Sequence, residues 1–471
     1  MRTPTKMENY DRAINHYSKA IKLKPNFSEA YMNRGVAYCS KGEYDMAIED
    51  FNTALQFKPN DPDTYYNRGL AYGKKGAVDR AILDFNKAIE FKPDEPDIYI
   101  NRGVVYNIQG DVDRAIADFT RAIQLNPNDA NTYFNRGTAF GKKGDVDRAI
   151  HDFTKVIEFK PDDVEAYSNR GAAYGRKGNV DHAIENFNQA IALNPNLAKI
   201  YDNRGKAYFQ KKDYDRAILD YTNAIQLNPD CYETYIRRGA TYHKKLNFDN
   251  AISDFTNAIQ LNPSYAELYF IRGEIYSDKD DYVRAIPDYT EAIRLKPDHA
   301  DAYQNRGLAY GIIGEINLAI EDFTHAIDFK PNYLQAYRNR ALAFEKKGKY
   351  DFAIQDFTKA IQLKPDDANT YHNRGSAYGV KGDFDRAIND YTKALELQPD
   401  FAQAYCNRGV VRLYLRDWEE AKADLTTAKN MGLDIIALFS NYWPSVAAFE
   451  TRFGIEIPND IAAMLTPSQD E

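Results

Sequence analysis

Cysteine is scarce in this 471-residue chain: Cys39, Cys231 and Cys406 are the only three, far apart and odd in number. They cannot make a disulfide framework, and a reducing, cytoplasmic setting is expected. Tryptophan is scarcer, with 2 residues against 36 tyrosines. Positive charge is not in excess. A net charge of −8 excludes a non-specific nucleic-acid binder, which needs a basic surface for phosphate. No apolar run approaches the roughly 18 residues that span a bilayer, and no charged-then-apolar leader opens the chain, so neither membrane span nor secretory signal is expected. Phosphate loops, nucleophile elbows and dinucleotide fingerprints are missing. So are H-E-x-x-H and His/Cys clusters, so neither metal nor cofactor is expected. Carboxylates abound, but none stands apart as a catalytic pair would. The expectation is a protein that is not an enzyme.

What the chain does have is a period. Hydrophobic residues make up 44% and charged residues 28%, the balance of a folded protein. Prolines recur at Pro25, Pro59, Pro93 and every 34 residues to Pro399, without insertion or deletion. Twelve units therefore run over 25–432, preceded by a partial unit (1–24) and followed by a tail (433–471). Each unit reads as two helices. Asn, Asp or Ser follows every one of these prolines and is expected to cap the first helix. In the unit from Pro127, Tyr133, Gly137 and Phe140 share a face of that helix, and Gly144 breaks it. Asp145–Asp147 opens the second helix, whose apolar face carries Ala149, Ile150, Phe153, Val156, Ile157 and Phe159. Neither helix can hide its stripe alone, so neighbouring units must stack.

The residues carrying the period resemble the tetratricopeptide repeat family. In the unit starting at Ser28 they are Tyr31, Arg34-Gly35, Tyr38, Ala47, Phe51, Ala54 and Pro59. Two departures recur: Tyr in place of the first aromatic Trp, and Arg in place of Leu before the Gly position in all twelve units. The signature here is Y-x-N-R-G-x-A-Y, as in Tyr65–Tyr72. The resemblance implies an all-α right-handed superhelical solenoid of antiparallel helix pairs.

Two polar positions need a reason. The arginine (Arg34, Arg68 and on to Arg408) lies at the edge of the packing face, where an unpaired guanidinium is costly. Asp50, Asp84 and on to Asp424 hold one register position in the second helix, with Asn186 as the single exception. A repeated Arg–Asp pair is expected, within or between units. Asparagine precedes the arginine at Asn33, Asn67, Asn101, Asn135, Asn169, Asn203, Asn305, Asn339, Asn373 and Asn407. It lies opposite the packing face, and its neighbours three residues on vary freely: Val36, Leu70, Thr138, Lys206, Leu308. A fixed amide can donate and accept, which suits the backbone of an extended peptide. It could equally bond a neighbouring helix and set the stacking.

In the resembling family this position faces the concave groove, where asparagines hold peptide backbone or a terminal carboxylate. Long arrays of O-linked sugar transferases carry such a ladder. The resemblance thus implies an interaction scaffold binding extended segments of partner proteins. The alternatives are the recognition arm of a multi-component enzyme and an architectural spacer.

The ladder breaks at Arg237 and Ile271. Nearby, Lys212, Leu246 and Asp280 replace the interhelix Gly, and Pro287 falls inside a second helix. Drift, or reading of a charged ligand by Arg237, His243, Lys244 and Glu274, would produce this. Tyr10–Leu23 matches a second helix only, which reads as a late start or as a docking helix. Asp434–Tyr442, Ser445–Phe453 and Ile461–Leu465 read as capping helices. Lys recurs at first-helix ends (Lys41, Lys75, Lys143), as the helix dipole favours. Tyrosine falls mostly at two packing-face positions, Tyr31 to Tyr405 and Tyr38 to Tyr378. The surplus is repeat core, and recognition falls to the asparagines.

Overall fold

A computed structural model describes residues 6–467. It contains 28 helices and, among the described residues, no strand. They form two compact units, one ending at Asp230 and one beginning at Cys231. In the first, the helix Lys6–Leu23 precedes six helix pairs, from Ser28–Lys41 with Tyr44–Phe57 to Ala198–Gln210 with Tyr214–Leu227. In the second, six pairs run from Tyr232–Lys244 with Phe248–Leu261 to Ala402–Tyr414 with Trp418–Asn430, and Ile435–Tyr442, Val446–Phe453 and Asn459–Met464 follow. Within each unit the two helices of a pair pack antiparallel, and each second helix packs on the next first helix. Each unit is a stretch of all-α solenoid.

Small residues make the close packing possible. Ala47, Phe51 and Ala54 are fully buried, and a buried Phe side chain stabilises by about 1.5–3 kcal/mol. A Cβ on Gly35 would sit 2.7 Å from the Phe51 ring, so this position brings the first helix onto the ring of its own repeat. Ala341 takes the place once, over Phe357, and both are fully buried. No tyrosine of the two recurrent positions is exposed. Tyr99, Tyr269 and Tyr337 donate their hydroxyls to the carbonyls of Pro93, Pro263 and Pro331, closing the proline turn beneath them.

The cap expectation needs correcting by one residue. The N-cap is the second residue after proline: Asp61, Asp129 and Asp163 accept backbone N–H groups of the first helix. The Asn, Asp or Ser directly after proline occupies a turn instead. Asp163 N–H donates to Lys160 O at 3.1 Å, so Pro161 and Asp162 are the two corners, positions that proline and short polar residues favour.

Between the helices of a pair the chain turns through a left-handed residue, such as Gly42 (φ 82°) or Gly144 (φ 85°). Where glycine is lost, Lys212, Leu246, Asp280 and Arg416 adopt the same conformation at φ 58–62°. The turn is kept at a local cost of about 1–2 kcal/mol per residue. Pro287 does not end its helix, which continues over Tyr282–Leu295 with the proline on the solvent side. The tail packs on the last repeat: Phe439, Phe449, Ile457 and Ile461 share a core with Leu413 and Leu425. Its last helix spans Asn459–Met464, two residues ahead of expectation.

Candidate functional site

The first helix is held by its arginine. Arg34 Nε and Nη2 donate to Asp50 at 2.8 and 2.7 Å. The same two-pronged bond recurs in every other repeat with an aspartate, for example Arg136–Asp152, Arg272–Asp288 and Arg408–Asp424. The expected pair therefore forms, and its partner is always in the same repeat. In the exception, Arg170 Nε donates to Asn186 Oδ1 at 2.7 Å. Each guanidinium also lies near its repeat's first tyrosine, as Arg136 does 5.6 Å from the Tyr133 ring centre, a favourable cation–π arrangement. Burial disfavours the charge of Arg68, but its hydrogen bonds to Asp84 and the attraction of that carboxylate's charge together outweigh this and raise its pKa. Burial pushes the Asp254 and Asp322 carboxyls up against the pull of Arg238 and Arg306.

Sequence reading missed a third arm. Nη1 of Arg34, Arg68 and Arg272 donates to Ser18, Asn52 and Thr256, each in the preceding second helix. One guanidinium thus ties three helices. The signal was present, because a Ser, Thr or Asn sits two residues after every aspartate of the series (Asn52, Thr120, Thr154). The recurrent lysines also reach across repeats, as in Lys177–Asp147 and Lys211–Asp181 at 2.5 Å. Exposed pairs of this kind are worth ~0.2–1 kcal/mol.

The asparagine before the arginine is the other recurrent polar group of the first helix. All ten are half-buried, and they divide by partner. Asn67 and Asn101 donate to their own helix, at Asp63 O and Asp97 O, both at 2.8 Å. Asn101, Asn305 and Asn407 also reach the preceding first helix, at Tyr66 Oη, Glu274 Oε1 and His372 Nε2. Asn203 accepts from Lys206, and Asn373 meets the other ring nitrogen of His372. Asn33, Asn135, Asn169 and Asn339 make no side-chain hydrogen bond among the described residues.

Two cavities of the second unit open on this row. One of about 390 Å³ lies between consecutive first helices and is walled by Asn305, Glu274, Asp278, His243, Tyr289 and Leu308. His243 Nε2 is 2.7 Å from Asp278 Oδ2, and Ser277 Oγ is 2.9 Å from Tyr289 Oη. Burial, with Asp278 nearby, pushes the Glu274 carboxyl up to about 7. The other cavity, about 520 Å³, is walled by Asn407, Val410, Tyr414, Trp443 and Phe453. Tyr414 stacks on Phe384 at 4.7 Å and accepts from Trp443 Nε1 at 3.1 Å. Of the four residues singled out in the irregular middle, His243 and Glu274 meet in one wall. Arg237 and Lys244 lie outside it.

Other chemistry is thin. Burial pushes the Cys39 and Cys406 thiols up to about 11, which leaves little thiolate at neutral pH. Among the described residues no three metal-ligating side chains gather, and no helix is long and apolar enough to cross a membrane.

Models described as TPR repeat or tetratricopeptide repeat match 5–39, 35–76, 62–95, 85–117, 105–144, 137–178, 164–197, 198–231 and 232–265 in the first part of the chain. Further along they match 273–311, 300–333, 334–367, 368–401 and 390–423. No curated protein matches. Among solved structures, MamA is 34% identical over 34% of this chain and 94% of its own, with a TM-score of 0.33. YrrB, described as a TPR protein with an unusual peptide-binding site, is 22% identical over 40% of this chain and 96% of its own (TM-score 0.36). The C-terminal part of a TPR repeat-containing protein from Cytophaga hutchinsonii is 21% identical over 51% and 98% (TM-score 0.45).

Proposed function

Because the chain belongs to the tetratricopeptide-repeat family and is a protein-interaction scaffold, we propose that it holds extended peptide segments of partner proteins along the asparagine-bearing side of its first helices. One observation carries the reading. Asn33, Asn135, Asn169 and Asn339 keep both amide donor and acceptor unused, half-buried, at one register position. A fixed amide with no intramolecular partner is explained by a partner from outside. An extended backbone offers alternating N–H and C=O groups to such a row. The variable residues beside it, such as Val36, Thr138, Leu308 and Val410, supply side-chain preference from repeat to repeat.

The stacking role fits a different subset. Asn101, Asn305 and Asn407 bond the preceding first helix, so in those repeats the amide also fixes the step between neighbours. The test separates the subsets. The triple variant Asn135→Ala/Asn169→Ala/Asn339→Ala should weaken binding from a random peptide library by about 10- to 2,000-fold, at ~0.5–1.5 kcal/mol per bond. Its thermal unfolding should hardly change. Parent-like binding by this variant would sink the proposal.

A further inference from the structure

Resting on that reading, we propose that the cavity beside Asn305 is a receptor for one basic side chain, lysine or arginine, of the bound peptide. The cavity walls contain carboxylates and no lysine or arginine. The aspartates of the clamp series, Asn186's repeat apart, each have an arginine within 2.9 Å. Glu274 has only the neutral amide of Asn305, at 3.3 Å. A half-buried carboxylate without a counter-charge is destabilised. The charges that bear most on Glu274, those of Asp278, Glu267 and Asp301, are all acidic and add to the same deficit. A cation from a ligand would relieve it.

The rest of the cavity suits such a group. Asp278 is already engaged by His243, which leaves Glu274 as the open anion. The Tyr289 ring is held by its bond to Ser277 and gives an aromatic wall where a cation gains further attraction. Leu308 and Ile312 line the apolar side, where the aliphatic stem of Lys or Arg can lie. The charge is local to this repeat. At the Glu274 register the other repeats carry Val36, Leu70, Val104 or Ala172, and none of the twelve but this one is acidic. Substitution at a position that leaves the helix pair intact has changed what the wall can recognise.

A positional-scanning peptide library screened on the full chain is expected to select Lys or Arg at one position. Glu274→Gln should weaken the selected peptides about tenfold, the scale of one charge-assisted contact. Peptides with norleucine at that position should bind parent and variant alike. Binding that falls with the triple asparagine variant but shows no basic preference, or a preference unmoved by Glu274→Gln, overturns the receptor and leaves the groove reading standing. A library that does not bind overturns both. A peptide-free arm titrates N-acetylarginine methylamide against methyl-labelled protein. The Ile312 methyl signal should move in the parent and not in Glu274→Gln; a signal that stays put in the parent counts against the receptor.

Discussion

Two stretches of the array carry opposite departures. The repeat from Pro161 keeps Asn169 and Gly178 but has Asn186 in place of aspartate. The repeats from Pro229 and Pro263 keep Asp254 and Asp288, yet have Leu246 and Asp280 at the turn and Arg237 and Ile271 in the asparagine row. In all three the arginine still meets its acceptor, at 2.7–2.9 Å. In all three the interhelix turn keeps its left-handed residue. Clamp, turn and row are therefore separable. The clamp and the turn geometry persist because the helix pair needs them. The row can become Arg or Ile with the pair intact, so the pair does not require asparagine there.

The comparison is broken most forcefully at the clamp. Asp152→Ala removes a carboxylate that is 1% exposed and strands the Arg136 guanidinium, itself 15% exposed. It should cost about 3–5 kcal/mol locally, as removing one partner of a buried pair does. Asn186→Ala removes one bond and no charge, so it should cost less, near the ~1–3 kcal/mol of a lost buried acceptor. Repeat arrays need not unfold in one step, so hydrogen exchange repeat by repeat is the suitable measurement. Equal effects at the two sites would mean that charge is not what the clamp contributes. Next in size is Gly103→Ala, whose Cβ would meet the Phe119 ring at 2.8 Å; overpacking of this kind costs about 1–3 kcal/mol. Ala341→Gly should be milder, because that repeat has already adjusted to a methyl group.

The turn is where the irregular repeats can be improved. Leu246 holds φ 58° and is 73% exposed, so glycine there loses little packing and relieves the left-handed penalty. Leu246→Gly and Lys212→Gly should each stabilise by about 1 kcal/mol, read as a rise in the unfolding midpoint. Gly178→Leu should show the reverse in a regular repeat. If both directions are neutral, turn conformation is not what separates the two kinds of repeat.

Much of this was legible beforehand, because the period is exact in register. A proline every 34 residues, with alternating small and aromatic positions, leaves one way to bury both stripes. The Arg–Asp pair could be named because a buried guanidinium demands an anion and one register position supplied it. Its Nη1 arm was not named, because Ser, Thr and Asn look like ordinary solvated residues until three helices are brought together. The cap was misplaced by one residue because short polar residues serve both turns and caps, and only geometry separates Asp162 from Asp163. The asparagine row was visible as a pattern. Its division into bonded and unbonded amides was not, since it depends on a neighbour one repeat away, such as Tyr66 or His372.

The smallest expected effect concerns Glu274, where the row and the irregular repeats meet. Burial raises its folded pKa to about 7, above the ordinary glutamate value. A raised folded pKa gives stability that is full below the unfolded pKa and is lost as pH rises through the folded one. The carboxyl should therefore become a liability between about pH 5 and pH 8, by no more than ~1 kcal/mol once solvent access is allowed for. Glu274→Gln should remove that slope, leaving the variant the more stable protein at pH 8 and indistinguishable at pH 5 in thermal unfolding. The same substitution should weaken basic peptides. A residue whose removal stabilises the fold while costing affinity is kept for what it binds, whereas Asp288→Asn, which breaks the two-pronged bond from Arg272, should cost stability. A Glu274→Gln variant with unchanged pH dependence would return this carboxyl to the bland, solvated surface.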